Sequence, residues 1–231
     1  PLPPLPHHRE LIAHADLNQP LADGRRPLPH QRSGARWLLA RRGALLTDEM
    51  GLGKTLTALL AARALVRVVP LRLLVVAPVG LHPHWQREAS AVDLEVCLHS
   101  WARLPSDLPE AGTIMVVDEA HYAQTMQAQR TQALLRLARH PRLRAIWMLT
   151  GTPVRNGRPI QLYPLLAAID HPLARDQRSF EEMFCQGHWS ERGGQRRWRV
   201  DGASRLDELR RRTTPLVLHR RKQRVLGLPP K

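Results

Sequence analysis

The chain has 231 residues, 43% of them hydrophobic, and its 35 basic and 20 acidic side chains give a formal net charge of +15. This hydrophobic content excludes wholesale disorder, and the length suits one large domain. No apolar run approaches the roughly 18 residues that a membrane-spanning helix needs, and no signal-peptide pattern opens the chain, so we expect no membrane partner.

The positive charge is concentrated in the second half of the chain. Residues 1–119 hold 13 basic and 12 acidic side chains, a net charge of +1, whereas residues 120–231 hold 22 and 8, a net charge of +14. Charge collected in this way favours a surface that faces nucleic acid over a general solubility trait. The two cysteines, Cys97 and Cys185, lack metal-ligand spacing and indicate a reduced, intracellular protein.

Short apolar runs alternate with longer amphipathic stretches from Leu28 onward. Residues 1–27 are expected to form an extended N-terminal segment, because the prolines of Pro1–Pro6 fix φ and remove hydrogen-bond donors. Continuous apolar runs that alternate with helices predict an α/β domain, with a central, mostly parallel sheet and helices on both faces. The predicted strands are Ala44–Thr47, Leu71–Ala77, Thr113–Val117 and Ala145–Leu149, and the predicted helices include Lys54–Val66 and Met126–Arg139.

Residues 186–204 are polar and contain glycines, and they predict a surface insertion. Trp189 and Trp198 lie among arginines in this stretch. We interpret both as anchors that hold the insertion on the domain, with stacking on nucleic-acid bases as the alternative. A helix is expected to follow over about Ser204–Arg212, with Ser204 as its N-terminal cap.

The strongest local pattern is Gly51-Leu-Gly-Lys-Thr55, which follows a predicted strand and opens a predicted helix. A bound phosphate needs close backbone approach, which glycine permits, and donors at a helix N-terminus. We expect Lys54 to reach the β- and γ-phosphates of ATP and Thr55 to coordinate Mg²⁺. Asp48 stands where a full Walker A pattern has its first glycine, and a chance loop is the alternative. The residues of this loop expected to bind ATP are Met50, Gly51, Leu52, Gly53, Lys54 and Thr55.

The second pattern is Asp118-Glu-Ala-His121, which follows the apolar run Thr113–Val117. Asp118 would hold Mg²⁺, largely through water, because magnesium retains several of its waters. Glu119 would orient or deprotonate the attacking water, so Glu119, Asp118 and Lys54 are the predicted catalytic residues. A solvated acidic turn is the alternative. The phosphate loop upstream argues against it, because two adjacent carboxylates at the end of a buried strand are costly without a cation.

The third pattern, Leu149-Thr-Gly-Thr-Pro153, also follows a predicted strand. In their order and residue identities, the three motifs resemble the Swi/Snf branch of the superfamily 2 helicases. These motifs are Asp48–Thr55, Asp118–His121 and Leu149–Asn156. The resemblance covers about residues 28–231, and in that branch an aspartate at position 48 is expected. It implies a RecA-like P-loop NTPase domain, the first of two lobes that bind ATP and Mg²⁺ and translocate on DNA.

The resemblance also assigns residues outside the ATP-binding loop. Gln31 matches the glutamine that reads the adenine of ATP. Gly202-Ala-Ser favours the annealing-helicase subgroup of the family. Arg220–Lys222 is interpreted either as a hinge that contacts the second lobe or DNA phosphate, or as a solvated run of charge. The residues implied to contact DNA are Pro78, Ser100, Thr150, Gly151, Thr152 and Asn156.

The predicted function is therefore the ATP-binding half of a DNA-dependent ATPase that acts on duplex or branched DNA, in the bacterial cytoplasm with the nucleoid or in the nucleus. The second lobe would carry the arginine fingers, and nothing in this sequence matches its motifs. An isolated first lobe is expected to hydrolyse ATP slowly, because an arginine finger contributes orders of magnitude in rate. The alternatives are a non-catalytic DNA-binding scaffold module and a phage-defence or restriction helicase subunit.

Overall fold

A computed structural model describes residues 16–109 and 112–227 of the chain, so the expectation for Pro1–Pro6 lies outside the described residues. The strands are β1 (Gly43–Leu46), β2 (Arg72–Val76), β3 (Cys97–His99), β4 (Thr113–Val117), β5 (Leu143–Leu149), β6 (His188–Arg192), β7 (Gln195–Arg199) and β8 (Val217–Leu218). The helices are α1 (Pro29–Leu39), α2 (Lys54–Val66), α3 (His82–Ala91), α4 (Gln129–Ala138), α5 (Tyr163–Ala168), α6 (Gln177–Phe184), α7 (Leu206–Thr213) and α8 (Lys222–Leu226). Short 3₁₀ turns cover Val79–Leu81, Ala120–Ala123, Pro159–Leu162 and Pro172–Ala174.

Six strands form one sheet in the order β3-β2-β4-β5-β1-β8, and every neighbouring pair in it is parallel. The predicted parallel α/β sheet is confirmed, and the four predicted strands lie within two residues of their observed ends. The sequence did not predict β3 and β8. These edge strands have three and two residues and are only partly buried, so they lack the continuous apolar run that marks the other four.

Helices cover both faces of the sheet, as predicted, because successive side chains of each strand point to opposite faces. In β1, Ala44 and Leu46 belong to the core under α1, α2 and α3, whereas Leu45 belongs to the core under α4, α5 and α6. Helix α2 is apolar on nearly all sides, and nine of its 13 residues are buried. Such a helix is held by the core that surrounds it, which fixes the position of its N-terminus.

The described part of the N-terminal segment, residues 16–27, packs against the domain, so the boundary expected at residue 27 does not separate these residues from the core. Leu17 and Leu21 are 1% and 4% exposed and pack into the core under α1 to α3. The backbone N–H of Ala22 donates to the carbonyl of Ala91 at 2.8 Å. Two leucines four residues apart provide enough apolar surface to dock this segment despite its polar composition.

The predicted insertion at 186–204 is an ordered antiparallel hairpin of β6 and β7. The helix after it, α7, begins at Leu206, and Arg205 precedes it in the left-handed conformation with φ 48°. The prediction that Ser204 caps this helix is wrong, because the Ser204 hydroxyl donates to the carbonyl of Met183 at 2.8 Å. Ser204 thus links the end of the hairpin to α6 instead.

Among the described residues, no helix has the length and apolarity needed to cross a membrane.

Candidate active site

The sequence motifs meet along one edge of the sheet. The loop 47–53 follows β1, Pro78 lies two residues after β2, Ser100 follows β3, Asp118 follows β4, and Thr150 follows β5. Because the six strands are parallel, their carboxyl ends share the same edge, which is where ligands bind in open α/β sheets. Residues that are far apart in the chain therefore lie along one edge of the sheet.

The loop before α2 is shaped by glycine. Gly53, which immediately precedes the helix, has φ 72°, a conformation that L side chains rarely adopt. A Cβ at Gly53 would lie 2.3 Å from Nε2 of Gln31, so glycine is also required by space. Gln31 is 7% exposed, and its Oε1 accepts a hydrogen bond from the backbone N–H of Leu28 at 2.9 Å. The glutamine predicted to read adenine thus lies against the predicted phosphate loop.

Leu52 and Met50, which also belong to this loop, differ in their burial. Leu52 is 1% exposed, and its carbonyl oxygen lies 2.9 Å from Nε2 of His30 on α1. Met50 is 76% exposed. The side chain of Leu52 therefore packs in the core, whereas Met50 presents its side chain to solvent.

Lys54 is the first residue of α2, and its ammonium group points back over the loop. Its Nζ donates to the carbonyl oxygen of Asp48 at 2.7 Å. Burial lowers the pKa of Lys54, and the negative charges of Asp48, Glu119 and Asp118 act in the opposite direction. Lys54 is therefore within electrostatic reach of both carboxylates at the end of β4. Thr55 follows it at the N-terminus of α2 and is partly exposed.

Two indole rings hold Asp118. The carboxylate is 8% exposed, and its Oδ2 accepts from Nε1 of Trp85 at 2.8 Å while its Oδ1 accepts from the backbone N–H of Glu119 at 2.9 Å. Nε1 of Trp101 donates to the carbonyl oxygen of Asp118 at 3.0 Å. Burial raises the pKa of Asp118, and the hydrogen bond from Trp85 opposes that rise.

No sequence pattern had assigned a role to Trp85 or Trp101, so their positioning of Asp118 was not predicted. A signal was available. The chain has six tryptophans but only two phenylalanines and two tyrosines, so tryptophan is the most frequent of its few aromatic residues. A buried indole usually has a hydrogen-bond partner, and a buried acid was the available acceptor.

Glu119 adopts the left-handed conformation with φ 48°, which is uncommon for a residue with a side chain. Its Oε2 lies 2.9 Å from Nδ1 of His121, and its carboxylate is 34% exposed. Strained residues of this kind persist only where the surrounding structure holds them, and they cluster at functional sites. The second carboxylate therefore faces the cleft while Asp118 is enclosed.

The loop after β5 is linked to the loop after β4 by polar contacts. The Thr150 hydroxyl accepts from the backbone N–H of Thr152 at 3.1 Å and lies 3.5 Å from Nδ1 of His121. Nε2 of Gln124 donates to the carbonyls of Thr152 and Pro153, at 3.1 and 2.8 Å. These contacts provide a physical connection between the acidic pair and the third motif.

The residues predicted to contact DNA are not all accessible. Thr150 is fully buried, so a direct DNA contact by its side chain does not fit the structure. Thr152 and Asn156 are exposed, and Pro78 and Ser100 are partly exposed at the same edge. A Cβ at Gly151 would lie 3.8 Å from Nζ of Lys54, which places that glycine beside the phosphate loop.

Arg220 forms an ion pair that corrects both interpretations for this one residue of the run Arg220–Lys222, whereas Arg221 and Lys222 are exposed. Its Nε lies 3.0 Å from Oδ1 of the fully buried Asp48, and its Nη1 donates to the hydroxyl of Ser33 at 3.2 Å. The backbone N–H of Lys222 donates to Glu49 at 2.7 Å. Arg220 is thus neither solvated nor available to DNA. Asp48, which replaces the first Walker glycine, was the feature of the sequence that indicated a nearby cationic partner.

The parallel sheet, with the glycine loop, Lys54 and the acidic pair at its carboxyl edge, defines a RecA-like α/β domain. The family model "SNF2-related domain" matches residues 30–100 and 93–231. The chain therefore belongs to the SNF2-related domain family.

Its relatives include proteins named for work on DNA. The "DNA annealing helicase and endonuclease ZRANB3" of Mus musculus is 30% identical over 88% of this chain and 22% of its own length. The "SWI/SNF-related matrix-associated actin-dependent regulator of chromatin subfamily A-like protein 1" of Xenopus tropicalis is 27% identical over 96% of this chain and 25% of its own length. The chain thus spans about a quarter or less of these two relatives.

Solved structures agree on the fold. The "Sulfolobus solfataricus SWI2/SNF2 ATPase core in complex with dsDNA" matches with a TM-score of 0.66 and 21% identity over 93% of this chain and 49% of that chain. The UvsW helicase from bacteriophage T4 matches with a TM-score of 0.51 and 14% identity, over 68% of this chain and 64% of its own. The first match confirms the expected RecA-like architecture, and this chain corresponds to about half of that ATPase core.

Proposed function

We propose that this chain is the ATP-binding first lobe of a Swi/Snf-type, DNA-dependent ATPase that translocates on or remodels duplex or branched DNA together with a second RecA-like lobe. The observation that carries the proposal is the position of Lys54. Its ammonium bonds to the carbonyl of Asp48 in the glycine loop after β1 and is within electrostatic reach of Asp118 and Glu119 after β4, two strand ends that the parallel sheet places on one edge. Work on DNA implies the bacterial cytoplasm or the nucleus as its compartment.

The residues present fit ATP. The loop 50–55 has glycines in left-handed conformations at the N-terminus of a buried helix, which is a ready site for phosphate. Nζ of Lys54 has a neutral partner, the carbonyl of Asp48, so a triphosphate can attract it without breaking an ion pair. Gln31, held by Leu28 against Gly53, is positioned to bind the adenine.

The residues also fit Mg²⁺ held in the way that nucleotide-binding sites hold it. In the described ranges no cluster of three or more His, Cys, Asp or Glu side chains could form an all-protein metal site. Magnesium needs no such cluster, because it binds through one or two protein oxygens, several waters and the phosphates of its nucleotide. Thr55 and Asp118 would supply the protein oxygens, and the cation would neutralise charge on the phosphates.

The roles of the two carboxylates follow from their surroundings. Asp118 is enclosed and fixed by Trp85 and by the N–H of Glu119, which suits a group that holds a cation in one place. Glu119 is one-third exposed and lies beside His121, which suits a group that orients water in the cleft and accepts its proton. The contacts from His121 and Gln124 to the loop after β5 would carry a change in this cleft to Thr152 and Asn156 at the surface.

Duplex DNA would bind mainly through its phosphates. The net charge of +14 over residues 120–231 supplies the attraction, and Pro78, Ser100, Gly151, Thr152 and Asn156 would line the path of the backbone. Affinity for a duplex should therefore fall steeply between 50 and about 200 mM salt, because each neutralised phosphate releases counterions. Affinity that does not change with salt would contradict this contact mode.

Binding of a fluorescent ATP analogue in the presence of Mg²⁺ tests the proposal. We expect Lys54→Ala to weaken binding about tenfold or more, because a hydrogen bond to a charged group contributes about 1.5–3 kcal/mol. Arg72→Ala, an exposed arginine at the opposite edge of the sheet, is the matched control and should bind as the unaltered chain does. Equal binding by both variants would favour a non-catalytic scaffold and refute the ATPase.

Hydrolysis by this chain alone is expected to be slow even when DNA is added, because the arginine fingers are proposed to lie in the second lobe. A turnover of about 10 per second, typical of complete enzymes, would contradict that division of labour.

A further inference from the structure

The hairpin of β6 and β7 presents a surface that the proposed nucleotide site does not use. Its strands place Trp189 directly opposite Trp198, and the turn between them is formed by Gly193 and Gly194. A two-stranded hairpin is at best marginally stable alone in water. Contacts with the rest of the domain must therefore hold this one in position.

Trp198 provides those contacts. Its Nε1 donates to Oε2 of Glu181 on α6 at 2.7 Å, and the guanidinium carbon of Arg178 lies 3.1 Å from the centroid of its ring. Gly187 allows the ring to approach, because a Cβ there would lie 2.3 Å from Cζ2 of Trp198. The interpretation of Trp198 as an anchor is confirmed.

Trp189 differs from Trp198 in its contacts. It is 50% exposed, and its indole N–H has no hydrogen-bond partner within the described part of the chain. Its ring meets Trp198 edge to face, with the centroids 5.5 Å apart. The guanidinium carbons of Arg196 and of Arg178 on α6 lie 4.8 and 5.6 Å from its centroid, and the side chain remains half exposed to solvent. Trp189 therefore contacts α6 through Arg178 but has no hydrogen bond to it, so it contributes less to anchoring than Trp198 does.

The hairpin is also basic. The two strands contain four arginines and one acidic residue, Glu191. Arg196 and Arg197 are exposed, and neither forms an ion pair with any residue that the structure describes. Arg199 is paired with Asp201 at 2.7 Å. Because successive side chains of a strand point to opposite faces, Arg196 lies on the same face as Trp189 and Trp198, whereas Arg197 lies on the other face. One unpaired cation, Arg196, therefore lies beside the exposed indole.

We propose that this hairpin binds single-stranded DNA, with one base stacked on Trp189 and a backbone phosphate beside Arg196. The proposal rests on the proposed function, which places the chain on DNA, and adds a contact for the unpaired strand. An open aromatic face next to cations is how proteins bind single strands, since every base has a π-face. Bases in a duplex are already stacked on their neighbours. An acidic polypeptide would match the arginines and leave the indole unused.

Fluorescence anisotropy with three labelled ligands of equal length tests the hairpin: an oligothymidylate, an abasic strand and a duplex. Trp189→Leu should weaken oligothymidylate binding about tenfold, the effect of losing one stacked base. Trp189→Phe keeps a flat ring and should lose much less. Both variants should bind the abasic strand and the duplex as the unaltered chain does.

Arginine variants test the contribution of charge to binding. Arg196→Gln should weaken the oligothymidylate and the abasic strand alike, whereas Arg72→Gln, which lies at the start of β2 away from the hairpin, should change neither. Thermal unfolding of each variant verifies that the domain is intact.

Equal oligothymidylate binding by Trp189→Leu and the unaltered chain would overturn the proposal, as would an equal loss on the abasic strand. Polyglutamate that displaces the oligothymidylate equally well from the unaltered chain and from Trp189→Leu would assign the surface to a protein partner. If the unaltered chain bound no duplex but bound the oligothymidylate through Trp189, the proposed function would fail and the hairpin site would stand.

Discussion

Asp48 and Arg220 are separated by 172 residues in sequence, yet Nε of Arg220 lies 3.0 and 3.1 Å from the two carboxylate oxygens of Asp48. Asp48 is fully buried and begins the phosphate loop, whereas Arg220 follows the edge strand β8. The pair therefore ties the last part of the described chain to the loop that is proposed to hold ATP.

Removal of Arg220 should destabilise the fold. In Arg220→Ala the Asp48 charge stays buried without its partner, and breaking a buried pair in this way costs about 3–5 kcal/mol. Urea unfolding measures the loss in the free energy of unfolding. Arg221→Ala is the control, because Arg221 is exposed and its side chain has no partner among the described residues. It should change stability by no more than about 0.5 kcal/mol. Similar losses from both variants would refute the structural role of the pair.

Gly53 should be intolerant of any side chain. Gly53→Ala combines strain from φ 72° with a Cβ only 2.3 Å from Nε2 of Gln31, so the loop and the glutamine cannot both keep their positions. Gly157 has a similar φ of 65° but open space around it, so Gly157→Ala tests the strain alone. We expect weaker binding of the fluorescent ATP analogue for Gly53→Ala only. Equal affinities for the two variants would show that Gln31 does not lie against the loop.

His171 should make the fold less stable in mild acid. It is 4% exposed, its Nδ1 accepts from the N–H of Leu173 at 3.0 Å, and its Nε2 lies 3.2 Å from the carbonyl of Arg212. A second ring proton would face the Leu173 N–H. Burial, the largest effect, lowers the pKa of His171 below its ordinary value of 6.5. Below pH 6.5 the unfolded chain therefore binds more protons than the folded chain does. The contribution of neutral His171 to the free energy of unfolding is complete above that pH and is lost as the pH falls.

Urea unfolding at pH 7.5 and at pH 5.5 measures that loss. His171→Gln should depend less on pH than the unaltered chain, with at most about 1.4 kcal/mol of difference per pH unit for one proton. Part of the dependence should remain, because burial also lowers the pKa of His121. An unchanged slope in the variant would show that His171 is not the titrating group.

The two cysteines should react very differently. Cys97 is exposed at the sheet edge, whereas Cys185 is fully buried, and burial raises the pKa of its thiol to about 12. Because the thiolate is the reactive form, a thiol reagent should modify one cysteine of the native chain quickly and the second only in denaturant. Cys97→Ser should remove the fast reaction. Two fast thiols in the native chain would contradict the packing around α6.

The sequence predicted the sheet and the phosphate edge well because both depend on local patterns. The runs at β1, β2, β4 and β5 are almost continuously apolar, with Arg72, Thr113 and Arg144 only at or near the strand starts, which is characteristic of strands covered on both faces. Lys54 and Asp118 each follow such a run, so the rule that ligands bind at the carboxyl ends of parallel strands was enough to bring them together.

The interactions that the sequence did not reveal join residues far apart in the chain. The bond from Trp85 to Asp118 and the ion pair of Asp48 with Arg220 depend on which side chains the helices bring to the edge, and no local pattern encodes that. Ser204 had the right spacing for a cap, but the N-terminus of α7 begins later and the hydroxyl bonds to Met183 instead. Tertiary contacts decided each of these cases.

Magnesium dependence of ATP binding tests whether Lys54, Thr55, Asp118 and Glu119 surround one nucleotide. Isothermal titration with ATP, in Mg²⁺ and in a chelator, should show that Mg²⁺ strengthens binding to the unaltered chain and to the control Asp107→Asn, whose carboxylate is 65% exposed and pairs with His140 and Arg142. The Mg²⁺ effect should vanish in Asp118→Asn. An Mg²⁺ effect of the same size in Asp118→Asn would contradict the arrangement, because the acidic pair would then lie outside the nucleotide site.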